Sequence, residues 1–160
     1  SFTAHGEVSR SPQRLRALVF KALSNLLDPM GADSIAIVNT VPENLIVDVD
    51  ALQIEHVISN LVRNAVDALQ DRSDGRIRIT ATPRDDAIEL RVIDNGPGIA
   101  PDLVADIFSP FLTTKETGLG LGLPLCRTMV EANGGRITLE THGPEGATFV
   151  VTLPNGSPKE

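Results

Sequence analysis

Apolar residues recur along the chain with two different periods, and each period predicts one kind of element. Spacings of three and four residues indicate helices that bury one face. Three helices are predicted in this way, over residues 11 to about 29–31, 50 to about 71, and 123–133. Ser11 with Pro12 is expected to open the first helix, and Asp50 with Gln53 to cap the second. Gly134 should close the third helix.

Alternation of apolar and polar residues indicates strands with one buried face. Six strands are predicted, over residues 34–41, 45–49, 76–82, 87–94, 136–141 and 147–153. This mixed succession predicts an α/β (α+β) two-layer sandwich, with helices on one face of a mixed sheet. The stretch 95–122 is rich in glycine, proline and threonine, with one helical turn expected after Pro101. A stretch of this kind inside a compact domain is typically a functional lid.

Length, composition and charge fit one soluble globular domain of 160 residues. No apolar run approaches the ~18–20 residues that cross a bilayer, so no membrane contact by this domain is expected. The first residues lack an initiator Met and an apolar signal core, and we expect them to be an internal edge of a longer parent. A net charge of −7 argues against a nucleic-acid surface. The single cysteine, Cys126, suits a reducing cytoplasm and is predicted to be a small core residue.

The second predicted helix carries polar residues whose role has two interpretations. Asn60, Asn64 and Asp67 lie opposite the apolar stripe. Because asparagine is a mediocre helix former, two of them in mid-helix cost helix propensity. One interpretation is a solvated face. The other is that two amide oxygens converge on Mg²⁺, which takes few ligands from protein and the rest from water and substrate phosphates.

Glycines follow a predicted strand and precede the last predicted helix. Residues 94–99 contain Asp94, Gly96, Gly98 and Ile99. They form either a common turn or a site in which a carboxylate accepts from an exocyclic amine beside a planar ring. The second run consists of Gly118, Leu119, Gly120, Leu121 and Gly122. It is either a flexible connector or the anion-binding start of a helix, where unpaired amides and the helix dipole favour phosphate.

Aromatic residues, hydroxyls and one cation lie between these glycine runs. Phe108 and Phe111 are expected to anchor the loop to the core. Thr114 and Lys115 follow, and Lys115 is either a solvated lysine or a phosphate ligand. Residues 146–149, with Thr148, form either the turn into the last strand or part of a site. The order and conjunction of all these segments favour the functional interpretations.

In that order the segments resemble the sequence boxes of the GHKL ATPase superfamily, and within it the histidine kinases of two-component systems. Residues 60–68 are similar to the N box, 94–98 to the G1 box, 108–111 to the F box, 118–122 to the G2 box and 146–149 to the final glycine–threonine box. Residues 2–7 and 111–115 resemble the subgroup of nitrogen-fixation oxygen sensors and nitrogen regulators. The resemblance covers roughly residues 15–154 and implies the Bergerat ATP-binding fold.

The resemblance implies a site for ATP and Mg²⁺. Asn64 would ligate Mg²⁺, and Asn60 would lie beside the same phosphates. Asp94 would accept from the adenine amino group, with glycines against the ring and Thr148 helping through water. Lys115 and the amides of residues 118–122 would hold the phosphates from a mobile lid. The remaining expected nucleotide contacts are Asp67, Gly96, Gly98, Ile99 and Thr114.

Three positions depart from the superfamily pattern. Asn60 stands where chaperone and mismatch-repair ATPases carry a general-base Glu. Because an amide cannot take a proton from water, efficient hydrolysis is not expected. Asp67 stands where many histidine kinases have a basic residue, which argues against a phosphate role for it. Pro124 replaces a small residue in the first turn of a helix, where proline is tolerated.

The histidine that such kinases phosphorylate is expected outside this chain. It is usually followed by Glu on a dimerising helical hairpin, whereas His5 precedes Gly6. His56 and His142 are expected to be ordinary helix-face and turn residues. Residues 1–12 would then be a remnant of that upstream hairpin or its linker, residues 13–154 the catalytic domain, and residues 155–160 a flexible tail.

The function implied is donation of the γ-phosphoryl group of Mg-ATP to that histidine. Implied partners are the upstream hairpin of a homodimeric parent and the receiver domain of a response regulator. The domain would be cytoplasmic, whether or not the parent is membrane-anchored, and the isolated chain is expected to be inactive in autophosphorylation. Two alternatives stay open. One is a serine kinase of the anti-sigma-factor type, and the other is a degenerate module that serves as an interaction surface.

Overall fold

The computed structural model describes residues 8–26, 34–109, 122–141 and 143–158. Within these ranges the helices are α1 (Leu15–Ser24), α2 (Ala51–Ala68) and α3 (Leu123–Ala132). The strands are β1 (Ser11–Arg14), β2 (Ala36–Asn39), β3 (Ile46–Val49), β4 (Arg76–Arg84), β5 (Ala87–Asp94), β6 (Arg136–Thr141) and β7 (Thr148–Pro154). The turn expected after Pro101 is a short 3₁₀ helix, Val104–Asp106. No helix of the described residues is long and apolar enough to cross a membrane.

Five strands form a mixed sheet in the order β2-β4-β5-β7-β6. β2 runs parallel to β4, and the other neighbours are antiparallel. The strands predicted over residues 76–82 and 87–94 are confirmed as β4 and β5, which form a hairpin with its turn at Asp85 and Asp86. Along β5, Leu90 and Val92 are buried while the intervening Arg91 is partly exposed. One face of the sheet is therefore covered and the other faces solvent, as the predicted two-layer sandwich requires.

α2 lies on the buried face and contacts β4, β5, α1 and α3. Asp50 caps it as predicted, since the Asp50 carboxylate accepts from the amide of Gln53 at 3.2 Å. The apolar stripe that the periodicity predicted is buried except at Ala68, which is partly exposed, and its buried members are Ile54, Val57, Ile58, Leu61, Ala65 and Leu69. Burying such a stripe against the sheet is the main source of helix stability in a domain of this size.

The N-terminal segment differs from the prediction. Ser11 and Pro12 do not open a helix, because they lie in β1, which pairs antiparallel with β3 in a separate two-stranded sheet. α1 begins only at Leu15 and ends at Ser24, short of the predicted end. Strand pairing wins here because β3 offers hydrogen bonds to the segment, and proline is tolerated on an edge strand. The domain boundary expected between residues 12 and 13 falls inside β1.

The chain after β7 is held more firmly than predicted. Asn155 bridges to Val47, and the amide of Gly156 donates to the carbonyl of Ile46 at 2.8 Å. β3 is thus paired with β1 on one side and with residues 155–156 on the other. The tail predicted to be flexible over residues 155–160 is therefore paired with β3 at Asn155 and Gly156.

Candidate functional site

A cavity lies between the C-terminal half of α2 and the end of β5. Its walls are apolar except for the side chains of Asn64 and Asp94. The lining residues are Leu61, Asn64, Ala65, Ala68, Val92, Asp94, Pro97, Gly98, Ile99, Ala147 and Phe149. Apolar walls with a few converging polar groups are the usual make-up of a small-molecule site.

Asp94 ends β5 and is buried, with 9% of its surface exposed. Its Oδ1 accepts from the amides of Gly96 at 2.8 Å and Ala147 at 3.3 Å. Among the described residues no donor reaches Oδ2, so this oxygen is the acceptor that the cavity offers to a ligand. Burial raises the pKa of Asp94, and the two amides together with the charge of Arg72 partly offset that effect.

Gly146 makes the position of Asp94 possible. Its φ of +136° lies in the range that side-chain-bearing residues avoid. A Cβ at this position would also overlap the backbone carbonyl of Asp94. The turn before β7 must therefore be glycine for the amide of Ala147 to reach the Asp94 carboxylate.

Asn64 is buried, with 6% of its surface exposed, although it lies on the face of α2 that one interpretation left in solvent. Neither its Oδ1 nor its Nδ2 has a hydrogen-bond partner in the described part of the chain. An unpartnered buried polar group costs about 1–3 kcal/mol, and such groups are rare in native proteins. Asn64 also lines the cavity, and no described residue uses the hydrogen-bonding capacity of its carboxamide. The solvated-face interpretation is wrong for Asn64.

Asn60 is equally buried, one turn before Asn64, because the start of α3 covers it. Gly122 caps α3 with a φ of +107°, and a Cβ there would lie 3.1 Å from Asn60 Nδ2. The amide of Asn60 also donates to the thiol of Cys126. The N-terminus of α3 is thus seated on α2 beside the cavity.

Cys126 is fully buried, as predicted for a core residue. Burial raises the pKa of the Cys126 thiol to about 11, and the hydrogen bond from Asn60 offsets only part of this rise. A thiol with so high a pKa is a poor nucleophile at neutral pH.

The donor set fits Mg²⁺. Asn64 presents an uncharged amide oxygen that no described residue uses. Mg²⁺ prefers oxygen ligands and is commonly bound through few protein groups, with water and phosphate oxygens supplying the rest. Asn64, with Asn60 one turn away, would hold the ion.

Some predicted site residues do not line the cavity, namely Asn60, Asp67, Gly96, Gly122 and Thr148. Asp67 lies on the exposed side of α2; partial desolvation of its carboxyl raises its pKa, and the charge of Arg63 offsets part of that rise. Thr148 pairs with Ile93, so it shares the face of the sheet opposite to that of Asp94. Its neighbours Ala147 and Phe149 line the cavity instead. The water-mediated role of Thr148 stays a prediction.

Phe108, near the end of the described stretch 95–109, packs against the core as predicted. Its ring meets that of Phe149 edge to face, with centroids 6.3 Å apart. The guanidinium of Arg127 lies 6.0 Å from the centroid of the Phe108 ring. The remaining predicted positions lie outside the described residues and are His5, Phe111, Thr114, Lys115, Gly118, Leu119, Gly120, Leu121 and His142.

The sequence did not reveal the apolar walls of the cavity or one of its backbone donors. Leu61 and Ala65 were predicted only as core residues, although Ala65 directly follows Asn64 on α2 and both line the cavity. The amide of Ala147 had no signal beyond the glycine before it. His56, predicted as an ordinary helix-face residue, is exposed on α2.

Comparison with known proteins assigns the domain. Residues 49–157 match the family of histidine kinase-, DNA gyrase B-, and HSP90-like ATPases, and the chain belongs to this family. Within the family it is similar to sensor histidine kinases. It is 43% identical over 106 residues to the sensor protein FixL of Bradyrhizobium diazoefficiens, covering 66% of this chain and 21% of FixL. It is 37% identical over 153 residues to the C4-dicarboxylate transport sensor protein DctB of Rhizobium meliloti, covering 95% of this chain and 24% of DctB.

Solved structures give the same class. The catalytic domain of histidine kinase ThkA superposes with a TM-score of 0.80 at 31% identity, covering 92% of this chain and 96% of that domain. Full-length ShkA in complex with AMPPNP superposes with a TM-score of 0.80 at 27% identity, covering 99% of this chain and 34% of ShkA. ThkA in complex with the response regulator protein TrrA gives a TM-score of 0.76 at 28% identity, covering 92% of this chain and 42% of the matched ThkA chain. The predicted fold is confirmed, and the chain is an ATPase domain of the histidine kinase class.

Proposed function

We propose that this domain binds Mg-ATP and donates the γ-phosphoryl group to a histidine on a separate dimerisation domain, as one step of two-component signalling. One observation carries the proposal. A single apolar cavity holds a buried carboxylate, Asp94, and a buried carboxamide, Asn64, that has no partner among the described residues. Adenine and a metal–phosphate group supply what these two side chains lack.

Asp94 gives the cavity its base preference. The exocyclic amine of adenine would donate to Oδ2, while the amides of Gly96 and Ala147 hold Oδ1. Guanine carries a carbonyl oxygen at the equivalent position. Two acceptors would then face each other in a buried site, which leaves both unpaired. ATP should therefore bind in preference to GTP.

Asn60 and Asn64 would position the phosphates without activating water. When bound, Mg²⁺ neutralises charge on the transferring phosphoryl oxygens. Asn60 carries an amide and has no basic group that could take a proton from water. ATP would then be held for transfer to a histidine and hydrolysed slowly in its absence.

The partners follow from this chemistry and from the relatives. The chain spans about a quarter or less of the length of FixL and DctB, so the acceptor histidine and the sensing region would belong to the rest of a homodimeric parent. ThkA, whose catalytic domain this chain resembles, forms a complex with a response regulator. We infer the same kind of receiver-domain partner here, and a cytoplasmic location where ATP is available.

The direct test supplies the natural upstream hairpin as a separate protein, together with γ-labelled ATP. We expect acid-labile phosphate on the histidine of the hairpin, and none when that histidine is replaced by Gln. The isolated chain should neither label itself nor hydrolyse ATP at a useful rate, because the proposed acceptor belongs to another domain and Asn60 offers no base for water.

Three outcomes would contradict the proposal. Acid-stable label on a serine of a partner protein would indicate a serine kinase. Acid-labile label on His5, His56 or His142 would show that the acceptor lies in this chain. Failure to bind ATP at all would indicate a degenerate interaction module.

A further inference from the structure

Asn133, which follows the last residue of α3, is fully buried and fully hydrogen-bonded. Its Oδ1 accepts from the amide of Asp50 at 2.7 Å. Its Nδ2 donates to Gln53 Oε1 and to the carbonyl of Met129, each at 2.8 Å. Because Asp50 caps α2, this one side chain joins the C-terminal end of α3 to the N-terminal end of α2.

The other end of α3 also rests on α2. Gly122 lies against the carboxamide of Asn60, and the thiol of Cys126 donates to the carbonyl of Val57 at 4.0 Å. The two helices therefore run antiparallel, with Asn133 at one end of their contact and the Asn60 region at the other. A helix transmits displacement along its axis, and a shift by one residue moves it about 1.5 Å.

We propose that Asn133 is a positioning residue for the nucleotide. It sets where α3 lies along α2, and so where the first amides of α3 stand relative to Asn60 and Asn64. Those amides and the helix dipole favour phosphate, and an error of about 1 Å in positioning weakens such contacts. The inference rests on the proposed function of the site.

No other side chain would serve in the same way at this position. An amide supplies one acceptor and two donors, and all three are used here. An aspartate would oppose Gln53 Oε1 and the Met129 carbonyl with a second acceptor. An apolar residue would leave the partly buried amide of Asp50 without its partner.

The test compares Asn133→Ala and the milder Gln53→Ala with Leu153→Ala as a matched control. Leu153 is fully buried and pairs with Ile88, at the end of the sheet opposite to Asp94. Affinities for Mg-ATP and for adenosine are measured separately on folded protein. We expect Asn133→Ala to lose about tenfold in ATP affinity with less than about twofold change for adenosine. Gln53→Ala should show a smaller loss of the same kind, and Leu153→Ala neither.

If Asn133 is only structural, Asn133→Ala lowers stability but leaves the ratio of the two affinities unchanged, and that result would overturn the inference.

A second readout needs no nucleotide. Cys126 is the one cysteine in the chain and lies on α3. Its thiol should react with a thiol reagent faster in Asn133→Ala than in wild type or Leu153→Ala. Unchanged reactivity would show that Asn133 does not hold α3, which also overturns the inference.

The proposed function can fail separately. In that case wild-type protein binds no ATP, whatever the Cys126 result, and the positioning role for phosphate falls with it. If wild type binds ATP, and Asn133→Ala and Gln53→Ala show the same ratio of ATP to adenosine affinity as Leu153→Ala, the proposed function stands and the inference alone fails.

Discussion

Asn64 and Asn133 are the same residue type, and both are buried, yet their surroundings differ completely. Asn133 uses its amide in three hydrogen bonds that join two helices. Asn64 makes none within the described part of the chain and lines a cavity with Asp94. Native proteins seldom leave a buried amide unpaired. The number of hydrogen-bond partners, more than the degree of burial, therefore distinguishes the structural Asn133 from Asn64, which we propose to be a ligand-binding residue.

Stability without nucleotide should show the largest difference between the two. Asn133→Ala removes three hydrogen bonds and strands the Asp50 amide, so we expect a loss of about 2–4 kcal/mol in the free energy of unfolding. Asn64→Ala removes an amide that costs desolvation energy, so stability should stay within about 1 kcal/mol of wild type. Urea unfolding of the three proteins without ATP or metal measures this. Equal losses in the two variants would mean that Asn64 is a structural residue too.

Asp94 extends the comparison to a charged group. Asp94→Asn keeps an oxygen for the amides of Gly96 and Ala147 but turns the second acceptor into a donor, which opposes the adenine amine. We expect ATP binding to weaken by about 1–3 kcal/mol. Calorimetric titration of wild type and variant with ATP and GTP measures the effect. Equal affinity for both nucleotides in wild type, with no loss in the variant, would remove Asp94 from base recognition.

The same variant should gain stability while it loses affinity. Because burial raises the pKa of Asp94 in the folded protein, the folded state holds that proton more tightly than the unfolded one. Its contribution to stability is present below the ordinary pKa of 3.8 and is lost as pH rises through the folded value. At pH 7, Asp94→Asn should therefore be more stable than wild type, and the gain should shrink as pH falls. A gain that does not change with pH would contradict this.

The sequence predicted the architecture well where one strong pattern governs each element. α2, the β4–β5 hairpin and α3 follow from periodicity and caps, since each element buries one face against the sheet. The predicted helix start at Ser11 is wrong because a local helix signal competed with pairing to β3, whose residues lie 32 to 38 positions further along the chain. Pairing across such a distance leaves no trace in the local pattern.

The site residues could be predicted where a sequence motif indicates their chemistry, but not where tertiary packing alone determines their position. Asp94 was found because a carboxylate at a strand end precedes two glycines. Asn64 was found because asparagine in mid-helix lowers helix propensity. A motif does not fix the register of β7 against β5, and that register pairs Thr148 with Ile93 while Ala147 and Phe149 line the cavity. Asn133 was missed because, before two glycines, it looked like an ordinary helix end.

The Mg²⁺ dependence of ATP binding in Asn64→Ala tests the central claim most directly. Calorimetric titrations of wild type and variant are run with Mg²⁺ and with a chelator. Urea unfolding of both proteins checks in parallel that Asn64→Ala is folded. We expect Mg²⁺ to strengthen ATP binding by wild type and to make little difference to Asn64→Ala, which should still bind adenine through Asp94. If titrations with and without metal differ as much in the variant as in wild type, the unpartnered amide of Asn64 is not the metal ligand and the account of this site is wrong.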